Sequence, residues 1–164
     1  MRQLSGATNT LATLTVDQGR LVPFGGPIVE KSGVSPDGKW VLAAAYPPTG
    51  HDEAAMGTFA IPIEGGPARR LCRGYCFASW SYDGRAFYLV RALGLAADKT
   101  MSWPLAPGES FPNLPADDLA QAVSRGAPGA STIGHPLIAP GPSTATYAFV
   151  QSDSERNLFR IPLH

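Results

Sequence analysis

The sequence predicts an all-β fold built from repeated antiparallel units, and three observations lead to this prediction. Two stretches of similar sequence each contain an Asp-Gly pair, and the two pairs lie 46 residues apart. A short apolar run enters and leaves each pair. A segment of the form apolar-Pro-apolar also recurs three times along the chain. A repeat period in the forties, with turn signals at fixed places, is typical of stacked β-sheet units.

Each Asp-Gly pair predicts a tight turn between two strands. The carboxylates of Asp37 and Asp83 are expected to accept backbone hydrogen bonds, and Gly38 and Gly84 take positive φ without a Cβ clash. We therefore predict that these four residues are structural turn residues, and that the two aspartates do not form a catalytic pair of carboxylates.

The segments around the turns predict four strands per unit. Residues 40–45 and 86–90 are apolar throughout, which indicates strands covered on both faces. The apolar-Pro-apolar segments at 58–63, 100–105 and 158–163 suit strand ends, because proline has no amide to donate. A meander of four such strands is one propeller blade. The sequence thus predicts a partial β-propeller of about three four-stranded antiparallel blades, with one short helix in an insert.

The predicted units divide a single domain, 1–164, into four parts. Strands at 10–16 and 20–24 form an incomplete blade in 1–25, and a full blade follows at 26–75. A second blade, 76–130, contains a Pro/Gly-rich insert with the predicted helix at 115–124. The last part, 131–164, is a degenerate terminal blade in which residues 138–142 replace the Asp-Gly turn, followed by strands at 144–150 and 157–163.

A propeller of this repeat length needs more chain than is present here. The 164 residues accommodate only about three and a half units, whereas propellers close with typically four to eight blades. We therefore expect the C-terminal part of a longer propeller chain, with self-assembly of half-propellers as the alternative. In either case the expected partners of the open blade faces are the missing blades or a second copy of the chain.

The bulk composition excludes two classes of partner. Thirteen basic and thirteen acidic residues balance, and only 16% of residues are charged. No basic stripe is present to bind phosphate backbones, so we do not expect nucleic-acid binding. No apolar run reaches the roughly 18 residues needed to span a bilayer.

The turn motifs Ser-Pro-Asp-Gly-Lys at 35–39 and Trp-Ser-Tyr-Asp-Gly-Arg at 80–85 resemble the TolB-like, WD-like repeats of β-propellers. The Glu-Gly-Gly-Pro turn at 64–67, the Leu-Cys-Arg-Gly-Tyr-Cys segment at 71–76 and the ending at 147–163 resemble propellers that follow bacterial serine/threonine kinase domains, as in acidobacteria. If the parent protein is a receptor kinase, this resemblance implies a sensor role outside the cytoplasm, in the periplasm. Kinase motifs are absent from the sequence itself.

Cys72 and Cys76 are the only cysteines, and the sequence leaves two alternatives for them. The Arg-Gly-Tyr bend between them can bring the pair within disulfide range, or the two can remain buried or free thiols. Zinc would need two further ligands, and His51, His135 and His164 lie in loops or at the terminus, so neither metal nor another cofactor is predicted. A disulfide would imply an oxidising compartment.

These observations predict a non-catalytic module that recognises a protein, a peptide or a small ligand. The loops at 46–56 and 107–132 interrupt the regular units and are the candidate recognition segments. Within the first loop, His51, Asp52 and Glu53 are predicted to form a solvated tip. The alternatives are the propeller portion of a serine oligopeptidase, whose hydrolase half is not in this sequence, and a self-associating structural module.

Overall fold

The computed structural model describes residues 9–15, 17, 19–46, 56–91, 99–112, 129–135 and 138–149. All regular secondary structure within these residues is β-strand, and every strand pair is antiparallel. The all-β prediction is therefore confirmed for this part of the chain. The predicted helix at 115–124 and the strand at 157–163 lie outside the described residues, as do His51, Asp52, Glu53 and His164.

The described residues contain eleven strands in two sheets and a hairpin. In chain order they are β1 (Asn9–Thr15), β2 (Arg20–Val34), β3 (Trp40–Ala45), β4 (Gly57–Pro62), β5 (Arg69–Arg73), β6 (Cys76–Trp80), β7 (Ala86–Arg91), β8 (Thr100–Pro104), β9 (Ser131–Ile133), β10 (Ala139–Pro140) and β11 (Tyr147–Ala148). The first sheet has the order β1-β2-β3-β4-β5, the second has the order β6-β7-β8-β9, and β10 pairs with β11.

In the first sheet, one strand crosses the expected boundary between residues 25 and 26. Strand β2 is continuous from Arg20 to Val34 and pairs with β1 through one half and with β3 through the other. The expected separate pair of strands at 10–16 and 20–24 is thus joined to the first four-stranded unit. The pairing with β1 continues past the Gly-Gly-Pro at 25–27, where its register shifts.

The hairpin of β1 and β2 folds back over one face of the first sheet. Gly25, with φ of 70°, lies close enough to Ile61 that an added Cβ would meet its side chain at 3.1 Å. Leu11 and Ile28 from the hairpin pack with Val41 from β3 in one buried cluster. This face of β3 and β4 is therefore covered by the chain's own preceding hairpin, whose outer surface exposes the cross-strand pair Leu14 and Leu21.

In the second sheet, the last strand lies just beyond the expected boundary between residues 130 and 131. Ser131–Ile133 pairs with β8 and supplies the fourth strand of this sheet, whereas the sequence placed these residues in the next unit. A three-residue strand of Ser, Thr and Ile carries little periodic signal. Its place is fixed by the ladder to Thr100–Ser102, which the sequence does not reveal.

The two sheets pack through one aromatic core. Phe111 lies in the segment between β8 and β9, and its ring centroid is 5.2 Å from that of Trp40 in the first sheet. The same ring lies 5.6 Å from Trp80 and 5.7 Å from Phe87 in the second sheet. The guanidinium of Arg69 sits 5.1 Å from the Phe111 centroid. Edge-to-face contacts of this kind fix ring orientation as well as burying area, so Phe111 joins the two sheets.

The third expected turn occurs later than the sequence suggested. Residues 138–142 were expected to replace an Asp-Gly turn, but Ala139–Pro140 is a strand and pairs with Tyr147–Ala148. The reversal falls between them, where the Gly141 amide donates to the Thr146 carbonyl and the Thr146 amide donates to the Ser143 carbonyl. Strand β11 covers only two of the residues expected at 144–150.

Candidate functional site

The two Asp-Gly turns share one hydrogen-bond pattern. In the first turn the Ser35 hydroxyl donates to the Asp37 carboxylate and accepts the Trp40 amide at 2.9 Å. In the second turn the Ser81 hydroxyl donates to Asp83 at 2.6 Å and accepts the Ala86 amide at 2.8 Å. Gly38 and Gly84 have φ of 73° and 69°, and each donates its amide to the carbonyl of the turn's serine.

The hydrogen bonds lower the pKa of both turn carboxylates. Burial alone would raise the pKa of Asp37, but hydrogen bonds from Ser35, the Lys39 amide and Ser110, with the Lys39 charge, bring it below 3.8. For Asp83 the hydrogen bonds from Ser81 and the Arg85 amide lower the pKa, and burial opposes them only in part. Both carboxylates therefore act as ionised hydrogen-bond acceptors near neutral pH.

The two turns lie side by side. An added Cβ on Gly84 would contact Pro36 of the first turn at 3.4 Å. Ser110, which follows β8, donates to the second oxygen of Asp37 at 3.0 Å, while its carbonyl accepts the Trp80 indole N–H. A cavity of about 290 Å³ separates the turns. Its acidic residues are hydrogen-bonded to their own backbone, and no group of three or more potential metal ligands occurs within the described residues.

Strands β4 and β8 also share a pattern, in which a threonine near the start is followed by a proline at the end. Pro62 ends β4 and Pro104 ends β8. The next residue in each case donates its amide to a backbone carbonyl just before the neighbouring strand: Ile63 to Lys39, and Leu105 to Arg85. Four residues before each proline stands a fully buried threonine, Thr58 or Thr100. Thr58 binds the backbone of Cys76, and Thr100 donates to the carbonyl of His135 at 2.7 Å.

Of the two alternatives for the cysteines, the structure contains the disulfide. Cys72 in β5 and Cys76 in β6 are bonded, with their Cα atoms 6.6 Å apart. Both are almost completely buried, and the bond spans the bend that leads from the first sheet to the second. Since neither sulfur is a thiol, the pair offers no nucleophile and no metal ligand.

A second cavity, which the sequence did not suggest, opens on the other face of the second sheet. It has a volume of about 310 Å³ and lies between β2, the strands β6 to β8 and the hairpin strand β10. Its lining residues are Glu30, Lys31, Ser32, Phe77, Ala78, Ser79, Tyr88, Val90, Thr100, Ile138, Ala139 and Pro140. The cavity therefore combines an apolar wall with one acid, one base and several hydroxyl groups.

Two tyrosines at this second cavity have raised pKa values for different reasons. Tyr75 lies beside it and donates its hydroxyl to Glu30, and burial together with that carboxylate raises the pKa of Tyr75 to about 12. Tyr88 lines the cavity itself, and burial and the negative charge of Asp83 raise its pKa. The Tyr88 side chain is only 3% exposed, and its hydroxyl has no hydrogen-bond partner among the described residues.

The sequence pattern does not single out Tyr88, Lys31 or Glu30, which line this cavity. The one signal for Tyr88 was a hydroxyl-bearing residue inside the apolar run 86–90, and this signal does not distinguish a core tyrosine from a ligand contact. Lys31 and Glu30 are charged residues in a strand whose register shifts twice along β3. Their position beside the cavity depends on the second sheet, which begins only at Cys76. The loops at 46–56 and 107–132, expected to carry recognition, lie mostly outside the described residues.

Within the part of the chain that the structure describes, no helix is long and apolar enough to cross a membrane. No protein-family model matches this chain, and neither a curated protein nor a solved structure is significantly similar to it.

Proposed function

We propose that this chain is a non-catalytic recognition module, built as part of a β-propeller of which the two sheets are successive blades. One observation carries the proposal: two antiparallel meanders pack face to face with matching Ser-x-Asp-Gly turns at the same corner. Rigid sheets of this kind hold the segments between strands in fixed positions, and binding residues concentrate in such segments.

The proposal extends to the setting of the module. The resemblance of the turn motifs to propellers that follow serine/threonine kinases suggests the sensing part of a larger bacterial receptor. The buried disulfide between Cys72 and Cys76 supports an extracytoplasmic location, because disulfides persist in oxidising compartments. The hairpin of β1 and β2 covers one sheet face, as the closing strands of a preceding blade would.

The proposal is tested by heteronuclear NMR on the ¹⁵N-labelled chain with pools of peptides, amino acids, sugars and nucleotides. A recognition module gives shift changes in one contiguous set of residues at strand ends and loops, while the central strands β3 and β7 remain unshifted. The pooled compounds are followed in the same samples. Conversion of any compound into a product would indicate an enzyme, and the absence of any contiguous response would contradict recognition.

A further inference from the structure

Strand β1 forms an open edge of the first sheet. Its one strand partner among the described residues is β2. The seven residues from Asn9 to Thr15 include no charged residue and no proline, which are the residues that most often stop an edge strand from pairing with another chain. The backbone N–H and C=O groups on the outer side of β1 can therefore pair with a further strand.

The other edges of the two sheets are protected. Strand β5, at the opposite edge of the first sheet, contains Arg69, Arg70 and Arg73. Strand β9, at the outer edge of the second sheet, is only three residues long. Strand β6, at the other edge of the second sheet, lies against β2, β3 and β4. Charge, short length and coverage each prevent pairing at an edge, so β1 is the edge at which we expect it.

The outer face of the hairpin is apolar next to this edge. Thr10, Ala12 and Leu14 alternate along β1 on the exposed face, whereas Leu11 is buried on the other. Leu14 is 59% exposed, and its cross-strand partner Leu21 is 64% exposed. A strand added beside β1 covers Leu14, so the pairing buries apolar area in addition to forming backbone hydrogen bonds.

The charges favour a second copy of the chain as the added strand. Thirteen basic and thirteen acidic residues balance, so two copies have no net charge to keep them apart. Antiparallel pairing brings the turn end of one hairpin, with Asp17 and Arg20, toward the other end of its copy, with Glu30 and Lys31. Each end has one acid and one base. A charged peptide would find no complementary charge on β1, whereas a second β1 presents the same uncharged strand.

We infer that β1 is the interface of a symmetric dimer. Two copies pair their β1 strands antiparallel over all seven residues, which places Ala12 opposite Ala12 at the two-fold axis and joins the two five-stranded sheets into one. This interaction goes beyond the proposed recognition function and does not depend on it, since no residue of β1 lines either cavity.

Sedimentation velocity over a concentration series tests the dimer. The unaltered chain is expected to change from monomer to dimer as its concentration rises. Ala12→Lys places two ammonium groups opposite each other at the axis, so it is expected to raise the dissociation constant of the dimer by about 10-fold or more. Val34→Lys is the matched control, because Val34 is 49% exposed on the part of β2 that pairs with β3, and it should leave the dissociation constant unchanged.

Ala12→Cys tests the register without weakening the interface. Residues directly opposite each other in an antiparallel pair have Cα atoms about 4.5–5.5 Å apart, which is within the range of a disulfide. Oxidation is therefore expected to link two copies of Ala12→Cys into a dimer on a non-reducing gel, while Val34→Cys stays unlinked. Circular dichroism of each variant checks that the fold is unchanged, as expected for substitutions at exposed side chains.

A chain that sediments as a monomer at every concentration would overturn the inference. A dimer whose dissociation constant is the same in folded Ala12→Lys would overturn it as well, because the interface would then lie elsewhere. A monomer in which the amides of β1 are protected from hydrogen exchange would show that another segment of the same chain covers this edge. Failure of Ala12→Cys to link, with a dimer present, would exclude the two-fold pairing at Ala12.

Discussion

At the scale of single residues, each Asp-Gly turn is closed by a serine as much as by its aspartate. The hydroxyl of Ser81 is fully buried and accepts the amides of Arg85 and Ala86, while it donates to Asp83. Ser35 occupies the same position in the first turn, 46 residues earlier. The aspartate is the visible sequence signal, whereas the serine is the group that satisfies the buried amides.

We therefore expect Ser81→Ala to lower the free energy of unfolding by about 1–3 kcal/mol, since it leaves the buried Ala86 amide without an acceptor. Ser35→Ala is expected to give a loss of similar size if the two turns are equivalent. Ser131→Ala, at an exposed side chain, is the matched control and should change the value by no more than about 0.5 kcal/mol. Urea unfolding followed by circular dichroism measures all three, and a loss in only one turn would contradict their equivalence.

The loss of stability in Ser81→Ala is expected to depend on pH. Because the folded-state pKa of Asp83 lies below its ordinary value of 3.8, its contribution to stability is present above that value and is lost as the pH falls through the folded pKa. Ser81→Ala removes the main hydrogen bond that lowers this pKa. The stability difference between the unaltered chain and Ser81→Ala should therefore be largest near neutral pH and shrink below about pH 4. A difference that grows in acid would be the wrong sign.

At the scale of elements, the link between β5 and β6 carries two independent ties. The disulfide joins Cys72 to Cys76, and the Thr58 hydroxyl binds both the amide and the carbonyl of Cys76. These two interactions therefore fix the backbone at Cys76, the first residue of the second sheet. The Thr100 hydroxyl donates to the carbonyl of His135, just beyond β9.

The double variant Cys72→Ala/Cys76→Ala is expected to lower the free energy of unfolding by about 2 kcal/mol, because a bridge that closes so short a loop removes only modest entropy from the unfolded chain. Urea unfolding with and without reductant measures it. Reductant should destabilise the unaltered chain and leave the double variant unchanged, which is the matched control. Equal stability of the oxidised chain and the double variant would show that Thr58 alone holds the link.

How far the sequence predicts these elements depends on how local their signals are. Strands β3, β4, β7 and β8 were predicted within about a residue at each end, because the Asp-Gly turns and the prolines that bound them are local signals. Strand β9 was missed, and β2 was divided in two, because their pairing depends on partners elsewhere in the chain. For the same reason the cavity at Tyr88 could not be predicted: its lining comes from five separate strands.

At the scale of the whole molecule, one core spans both sheets. The cluster around Phe111 contains Leu42 and Leu71 from the first sheet together with Phe87 and Trp103 from the second. A shared core makes the folding of each sheet dependent on the other. We therefore expect the two sheets to unfold in a single transition, although no strand ladder among the described residues joins them.

Phe111→Ala tests this dependence directly. Loss of the buried ring is expected to lower the free energy of unfolding by about 3–5 kcal/mol, since it leaves a cavity between Trp40, Trp80 and Phe87. Phe149→Ala is the matched control at a ring that is 41% exposed, and it should lower the free energy of unfolding by about 1 kcal/mol or less.

Trp40→Phe leaves the tryptophans of the second sheet as the fluorescent reporters, while circular dichroism follows both sheets. Coincident midpoints by the two probes are expected in the Trp40→Phe background, and separate midpoints would mean that each sheet folds without the other.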